Sequence, residues 1–241
     1  MQLPRHFCWT RFGTESGEVI GQILARKEDE RRANGGIFLW GIGNALAPSM
    51  RELVYREPAP EVVFSPIRSK PRKEDVYPSR LVAWTEGRTS AGDVFKLPPG
   101  SMVTSRVSER CRRRKHYALV CASTESLCIK DSAENFSIRS LRNLLTGRQV
   151  GASQVTAIVQ VAERQESSAG AMYAAAMRTR LIPPYFVELV NPVTLPIALT
   201  SDVAAGVAAW NDVLSSIRHY SDAGAHAGSP SSSYLMSQDC Y

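Results

Sequence analysis

Hydrophobic and polar positions along this chain change period early and often. Phe7-Cys8-Trp9-Thr10-Arg11-Phe12 is a short aromatic-rich run that suits a first strand. After it, Val19, Ile20, Ile23 and Leu24 recur at helical spacing. Thr14 stands where an N-cap belongs, and Glu15 and Glu18 fall in the first turn, where a carboxylate is favoured. Residues 27–32 read as the charged, solvated end of that helix. Asn34-Gly35-Gly36 stops it, because glycine and asparagine tolerate the left-handed backbone that a C-terminal cap needs. The next apolar run, Ile37-Phe38-Leu39-Trp40, is too short for a helix and runs into Gly41-Ile42-Gly43-Asn44, so it reads as a buried strand leaving through a tight turn where a site could form.

The pattern then turns mostly to sheet. Residues 45–60 read as a connection with one helical turn over 50–55, and Glu61-Val62-Val63-Phe64-Ser65 as a strand. Further strands are expected over 80–85, 94–97, 102–105, 116–122, 155–162 and 185–190, the last bracketed by Pro183-Pro184 and Asn191-Pro192. Ser137 is placed to cap a short helix with Ile138, Leu141, Leu144 and Leu145 on one face, ended by Gly147. The alanine-rich residues 168–180 fit either a helix or an irregular crossover. Ser201 or Asp202 caps a last helix with Val203, Val207, Trp210, Val213, Leu214 and Ile217 as its apolar stripe. The fold class is α+β. One domain is expected over residues 1–220, followed by a flexible tail over 221–241, where Gly, Ser, Ala and Pro leave too little apolar surface to offset the entropy of ordering.

Composition sharpens the picture in two respects. At 241 residues and 44% hydrophobic side chains, the chain can bury a real core and is not a disordered polymer. Its five cysteines, Cys8, Cys111, Cys121, Cys128 and Cys240, are odd in number and show no Cys-x-x-Cys spacing, so reduced thiols and a cytoplasmic setting are expected. No window resembles a signal peptide or a membrane span.

The net charge of +6 is modest, but the positive charge is clustered. Arg68, Lys70, Arg72 and Lys73 alternate with prolines that forbid a helix, which predicts an exposed basic loop. Arg106, Arg110, Arg112, Arg113, Arg114 and Lys115 stand against the single Glu109. Two such clusters could neutralise phosphates and release their counterions; as solvated loops they would do neither. Trp9, Trp40 and Trp84 lie in three predicted strands, and indole faces can stack on an unpaired or flipped base. The same rings would serve equally in an ordinary packed core. The glycines beside Trp40 remove side chains that would block approach to it, and the Asn44 amide could read a base edge or simply stabilise its turn.

Signals for catalysis are sparse. His6, His116, His219 and His226 have no ligand partner at metal spacing, no nucleotide-binding or nucleophile-elbow motif is present, and no cofactor is expected. Cys111 or Cys121 with His116 is the remaining nucleophilic combination.

Three stretches, Phe7-Cys8-Trp9-Thr10-Arg11-Phe12, Gly36-Ile37-Phe38-Leu39-Trp40-Gly41 and Val62-Val63-Phe64-Ser65, occur in an order that resembles the PUA-like superfamily, in particular EVE- and YTH-type domains. The resemblance covers the first two-thirds of the chain. It implies a mixed, mostly antiparallel β-barrel with flanking helices, holding a modified base in an aromatic pocket beside a basic surface. The leading expectation is therefore a non-enzymatic nucleic-acid-binding module with Trp9, Trp40, Trp84 and Asn44 on the base and the basic clusters on the backbone of DNA or RNA. The alternatives are a metal-independent nuclease using His116 with the neighbouring arginines near the phosphate, and a protein-interaction component whose basic loops meet an acidic partner and whose tail, with Tyr234-Leu235-Met236 as the stretch a partner could order, docks elsewhere.

Overall fold

Residues 3–13, 20–67, 79–97, 102–108, 115–130, 134–162 and 171–195 are described by the computed structural model. In chain order they form β1 (His6–Phe12), α1 (Ile20–Ala33), β2 (Ile37–Ile42), α2 (Ala47–Arg56), β3 (Glu61–Pro66), β4 (Ser79–Arg88), β5 (Val94–Lys96), β6 (Met102–Ser108) and β7 (His116–Ala122). There follow β8 (Glu134–Ser137), β9 (Leu141–Asn143), β10 (Thr156–Val161), β11 (Met172–Ala175) and β12 (Met177–Leu195). The class is α+β, with two α-helices among the described residues. The helix cap at Thr14, the last helix and the tail lie outside them.

Ten strands build one mixed sheet in the order β2-β7-β12-β3-β1-β10-β9, with β4 branching from β12 and carrying β5 and β6; β8 and β11 pair separately. β1 and β3 run parallel, in register from Cys8 opposite Val62 to Phe12 opposite Pro66. The sheet is not closed into the expected barrel. Its ends, β2 and β9, are finished in other ways: β2 against α1, and β9 by the returning chain, where Arg142 pairs with Gln149.

Strand alternation divides the core in two. Cys8, Phe12, Phe38, Trp40, Val62, Phe64, Leu119, Cys121, Met177 and Leu181 face one side, where they join Ile23 and Leu24 of α1 and Met50 and Leu53 of α2. The other side carries two clusters, one around Leu39, Trp84, Val120 and Val187 and one around Phe7, Trp9, Val63 and Val159. β12 ties these regions together. Met177 to Arg180 pair with β3, Glu188 to Leu195 pair with β4, and β7 lies along β12 at Arg180–Leu181 and Phe186–Leu189. Between these pairings the four residues 182–185 stand against Val120 alone, a bulge containing the cis Pro183-Pro184 bond and Tyr185 at φ 62°.

Several local expectations change. Residues 137–147 form no α-helix. Ser137 does cap, accepting the Arg139 N–H at 3.3 Å, but only a 3-10 turn (Ile138–Ser140) before β9. Their hydrophobics serve a sheet edge, with Leu144 N–H bonded to the Ile158 carbonyl. The helical turn at 50–55 is a ten-residue helix, and β12 runs through Asn191-Pro192, because Pro192 lies in a strand that still pairs with β4. Residues 172–175 are strand and not helix.

The largest departure is α1. Its cap follows expectation: Gly35 and Gly36 have φ of 62° and 99°, and the Gly36 N–H reaches back to the Arg31 carbonyl at 2.8 Å. Its charged end, however, is not solvated. Lys27 and Glu30 are each 3% exposed. Lys27 Nζ donates to Glu30 at 2.7 Å and to the Leu39 carbonyl, while the Leu39 N–H donates to Glu30 Oε1 at 2.7 Å. Burial pushes the Glu30 carboxyl up to about 7 and the Lys27 ammonium down, desolvation outweighing their attraction. Beside them Glu28 accepts from Arg31, Arg32 and the Leu127 N–H, tying α1 to the chain beyond β7.

Two outcomes follow from these contacts. Glu30→Ala lowers the unfolding free energy by about 3–5 kcal/mol, as breaking a buried pair does. Lys27→Met with Glu30→Leu fails to restore wild-type stability, because the buried Leu39 N–H and C=O then lack partners at about 1–3 kcal/mol each. Denaturant titration of both variants checks this, and a double variant as stable as wild type would refute it. Glu28 is held down to about 2, chiefly by its hydrogen bonds from Arg31. A depressed carboxylate contributes stability present above its unfolded value, about 4.5, and lost as pH falls through about 2. Melting temperature therefore falls more steeply across that window in wild type than in Glu28→Gln, and superimposable profiles would remove Glu28 from the account.

Candidate nucleic-acid interface

The three tryptophans do not converge. Trp9, at 0% exposure, donates from Nε1 to Ser65 Oγ at 3.0 Å and meets Phe136 and Tyr173 edge to face. Trp40 packs edge to face on Phe12 and Phe64, with ring centroids 5.6 and 4.7 Å away. Trp84 lies against His116, centroids 4.9 Å apart. Each belongs to a different one of the three core clusters, so they share no pocket and their faces are occupied by protein. This corrects the expectation that Trp9, Trp40 and Trp84 form a base-binding set. The cause is alternation: Phe38 and Trp40 share the helix-covered face of β2, whereas Trp9 points to the opposite side of β1. Asn44 is exposed just beyond β2.

Most of the expected phosphate ligands, Arg68, Lys70, Arg72, Lys73, Arg110, Arg112, Arg113 and Arg114, lie outside the described residues. Arg106 falls within β6. Lys115, exposed at the start of β7, is where the densest basic stretch joins the sheet, and its surroundings were not anticipated. Glu188 of β12 lies directly opposite Tyr117 of β7 on one side and Arg88 of β4 on the other, and Tyr117 lies opposite Ile42 of β2. Directly paired residues share a face, so Arg88, Glu188, Tyr117 and Ile42 make one row across four strands. Lys115, two residues before Tyr117, is on the same face and pairs with Glu188 at 2.9 Å, whose carboxylate holds the Lys115 pKa up.

Aromatic surface adjoins this row. Tyr117 is partly exposed and stacks on Phe186, centroids 5.3 Å apart and planes 13° from parallel. Tyr185 precedes Phe186 in the bulge, with a left-handed backbone that is uncommon for a bulky side chain; outliers of this kind gather at binding sites. Because Ile42 faces Tyr117 in an antiparallel pair, the Gly43-Asn44 turn leaves β2 at the same end as Lys115. The structure thus brings Asn44 and Lys115 to one end of the sheet, with Arg88, Tyr117 and Glu188 in the row beside them; Phe186, stacked on Tyr117, and Tyr185 in the bulge lie further in, opposite Leu119 and Val120, and the sequence singled out none of these five. A signal was present: Lys115-x-Tyr117 and Phe186-x-Glu188 each put two side chains of this row and its aromatic neighbour on one strand face.

The catalytic combinations fare differently. His116 is adjacent to Tyr117 in β7, so it points to the opposite face, against Trp84, and away from Lys115 and Glu188. Cys121, five positions on, lies across the sheet from it, and burial pushes its thiol up to about 12. Cys111, His219 and His226 lie outside the described residues. His6 Nδ1 is 2.7 Å from Glu57 Oε1, joining β1 to the end of α2. Among the described residues no three His, Cys, Asp or Glu side chains gather as a metal site, and no helix is long and apolar enough to cross a membrane.

No family model, no curated protein sequence and no solved structure matches this chain.

The packing of Trp9 makes its role testable apart from any ligand. Trp9→Phe removes the donor to the buried Ser65 hydroxyl and lowers stability by about 1–3 kcal/mol, and because Trp9 is fully buried it alters no surface that a ligand could reach. Denaturation and oligonucleotide-binding isotherms measured on one preparation decide it, and a loss of affinity without a loss of stability would return Trp9 to a binding role.

Proposed function

We propose that this protein is a non-enzymatic nucleic-acid-binding module. In this reading Lys115, Arg88 and the basic stretch 106–115 contact the backbone of DNA or RNA, and an unpaired, flipped or modified base rests against Tyr117 and Tyr185. The observation that carries it is the row Arg88, Glu188, Tyr117 beside Lys115, which sets a partly exposed tyrosine, backed by the buried Phe186 ring, next to cations where the densest basic stretch enters the sheet. Glu188 fits the same role: its ion pair holds Lys115 on the strand face that carries Tyr117. The Asn44 amide at the same end is the candidate for a base edge, and Arg68, Lys70, Arg72 and Lys73 are further candidates for phosphate on charge alone.

The PUA-like, EVE- and YTH-type resemblance belongs to this proposal. The mixed sheet with its internal parallel pair supports it; the open ends do not. A cytoplasmic setting belongs here also, supported by the free thiols of Cys8, Cys121 and Cys128.

Titration against single-stranded and duplex oligonucleotides at two salt concentrations tests the reading. Wild type binds with an affinity that falls as salt rises; Lys115→Ala reduces the salt slope by about one phosphate contact. Tyr117→Ala leaves the slope and weakens binding to a single strand by about 5- to 150-fold, equivalent to roughly 1–3 kcal/mol of stacking. Absence of binding, or binding indifferent to salt, overturns the proposal.

A further inference from the structure

The sheet edge opposite β2 carries a feature that the Lys115 end does not use. From Asn135 to Ala162 the sequence contains no Asp or Glu, yet Arg139, Arg142 and Arg148 fall within this stretch. Arg142 and Arg148 sit on one hairpin, and Arg139 lies in the 3-10 turn that leads into it. β9 is followed by a turn that brings Gln149 back opposite Arg142, and Ile138, Leu141, Leu144 and Val150 anchor the hairpin in the core.

The turn is closely braced. Asn143 Oδ1 accepts the Leu145 and Thr146 N–H groups, both at 3.1 Å, and the Thr146 hydroxyl at 3.2 Å. The Asn143 N–H donates to the Arg148 carbonyl at 2.8 Å, and Gly147, at φ 65°, donates back to the Asn143 carbonyl at 2.9 Å. Arg142 braces the base of the hairpin by donating to the Arg139 carbonyl at 2.8 Å. Arg139 and Arg148 are exposed, and neither has an ion-pair partner among the described residues. Surfaces ordinarily mix charges of both signs. A fixed cluster of one sign attracts polyanions, and a braced loop gives up little entropy when its arginines engage phosphate.

We propose that the β9 hairpin with the turn that leads into it is a second phosphate-contacting surface, with Arg139 and Arg148 on the backbone of a bound nucleic acid. The inference rests on the nucleic-acid reading above and adds a contact at the far edge of the sheet, so the bound strand extends beyond the Lys115 end.

The test uses the full chain and labelled mixed-sequence oligonucleotides, single-stranded and duplex, with anisotropy read over a series of salt concentrations. Arg139→Gln with Arg148→Gln weakens binding at low salt and lowers the slope of log affinity against log salt by about 1.4–1.8, two phosphate contacts, at an unchanged melting temperature. If the double variant is destabilised, Arg148→Gln alone is read, with an expected drop of about 0.7–0.9. A wild-type slope in these variants, in an assay where Lys115→Ala still lowers it, overturns the hairpin contact and leaves the module's function standing. Failure of wild type to bind at all removes both.

Discussion

An edge strand must dispose of the backbone groups that face away from its only neighbour, and β2 does so with charge. The outward N–H and C=O of Leu39 are taken by Glu30 and Lys27, two side chains from the last turns of α1 that are almost wholly withdrawn from water. Taking both charges out of solvent is costly, and their mutual attraction alone is a weak reason to accept that cost. The arrangement makes sense because four polar groups are satisfied together, and because the bare edge it closes would otherwise invite pairing with another chain. Leu39 also sits at a divide, with Phe38 and Trp40 entering the helix-covered core and Leu39 the opposite one. Fixing its backbone fixes the register of both cores and the direction in which the chain departs toward Asn44.

β12 plays the complementary part inside the sheet. By exchanging β3 for β4 as its neighbour across the 182–185 bulge, it lets one strand serve two differently oriented groups of strands. The same bulge re-aims the aromatic residues that follow, as bulges beside functional sites do. Phe186 thereby lies under Tyr117, and Glu188 falls between Arg88 and Tyr117. The core of the proposed interface, Arg88, Glu188 and Tyr117, is thus a product of strand pairing more than of loops, which holds these side chains in fixed register.

Much of this architecture is legible in the chain. The runs at 7–12, 37–42, 61–65 and 116–122 read as strands because aromatic and β-branched residues cluster between turn residues, and Asn34-Gly35-Gly36 marks the end of α1 by its need for positive φ. Charge was harder to read. Lys27 and Glu30 look like any solvated helical pair, since nothing local says that a strand edge with two unmet hydrogen bonds will lie against them. The tryptophans mislead for a related reason: residue type suggests stacking, but the face of the strand decides what the ring meets. Residues 137–147 carry hydrophobics at spacings that suit a helix and, equally, a strand edge followed by a turn, and long-range pairing with β10 settles the matter. Tyr117 and Phe186 were hidden because their stacking depends on a bulge that no sequence period reveals.

The parallel β1–β3 pair has a bearing on how the molecule comes into being. β1 lies between β3 and β10, and β3 between β1 and β12, so strands made first are completed only by strands made last. During synthesis the N-terminal portion has no way to finish its central layer, and β3, β4 and β7 must wait with open hydrogen-bonding flanks until β12 emerges. Contacts this distant along the chain slow folding and prolong exposure of sticky intermediates. Interruption of translation before β12 would therefore release a fragment predisposed to self-association, and a chaperone that shelters nascent strands would matter more for this protein than for a helical one of similar length.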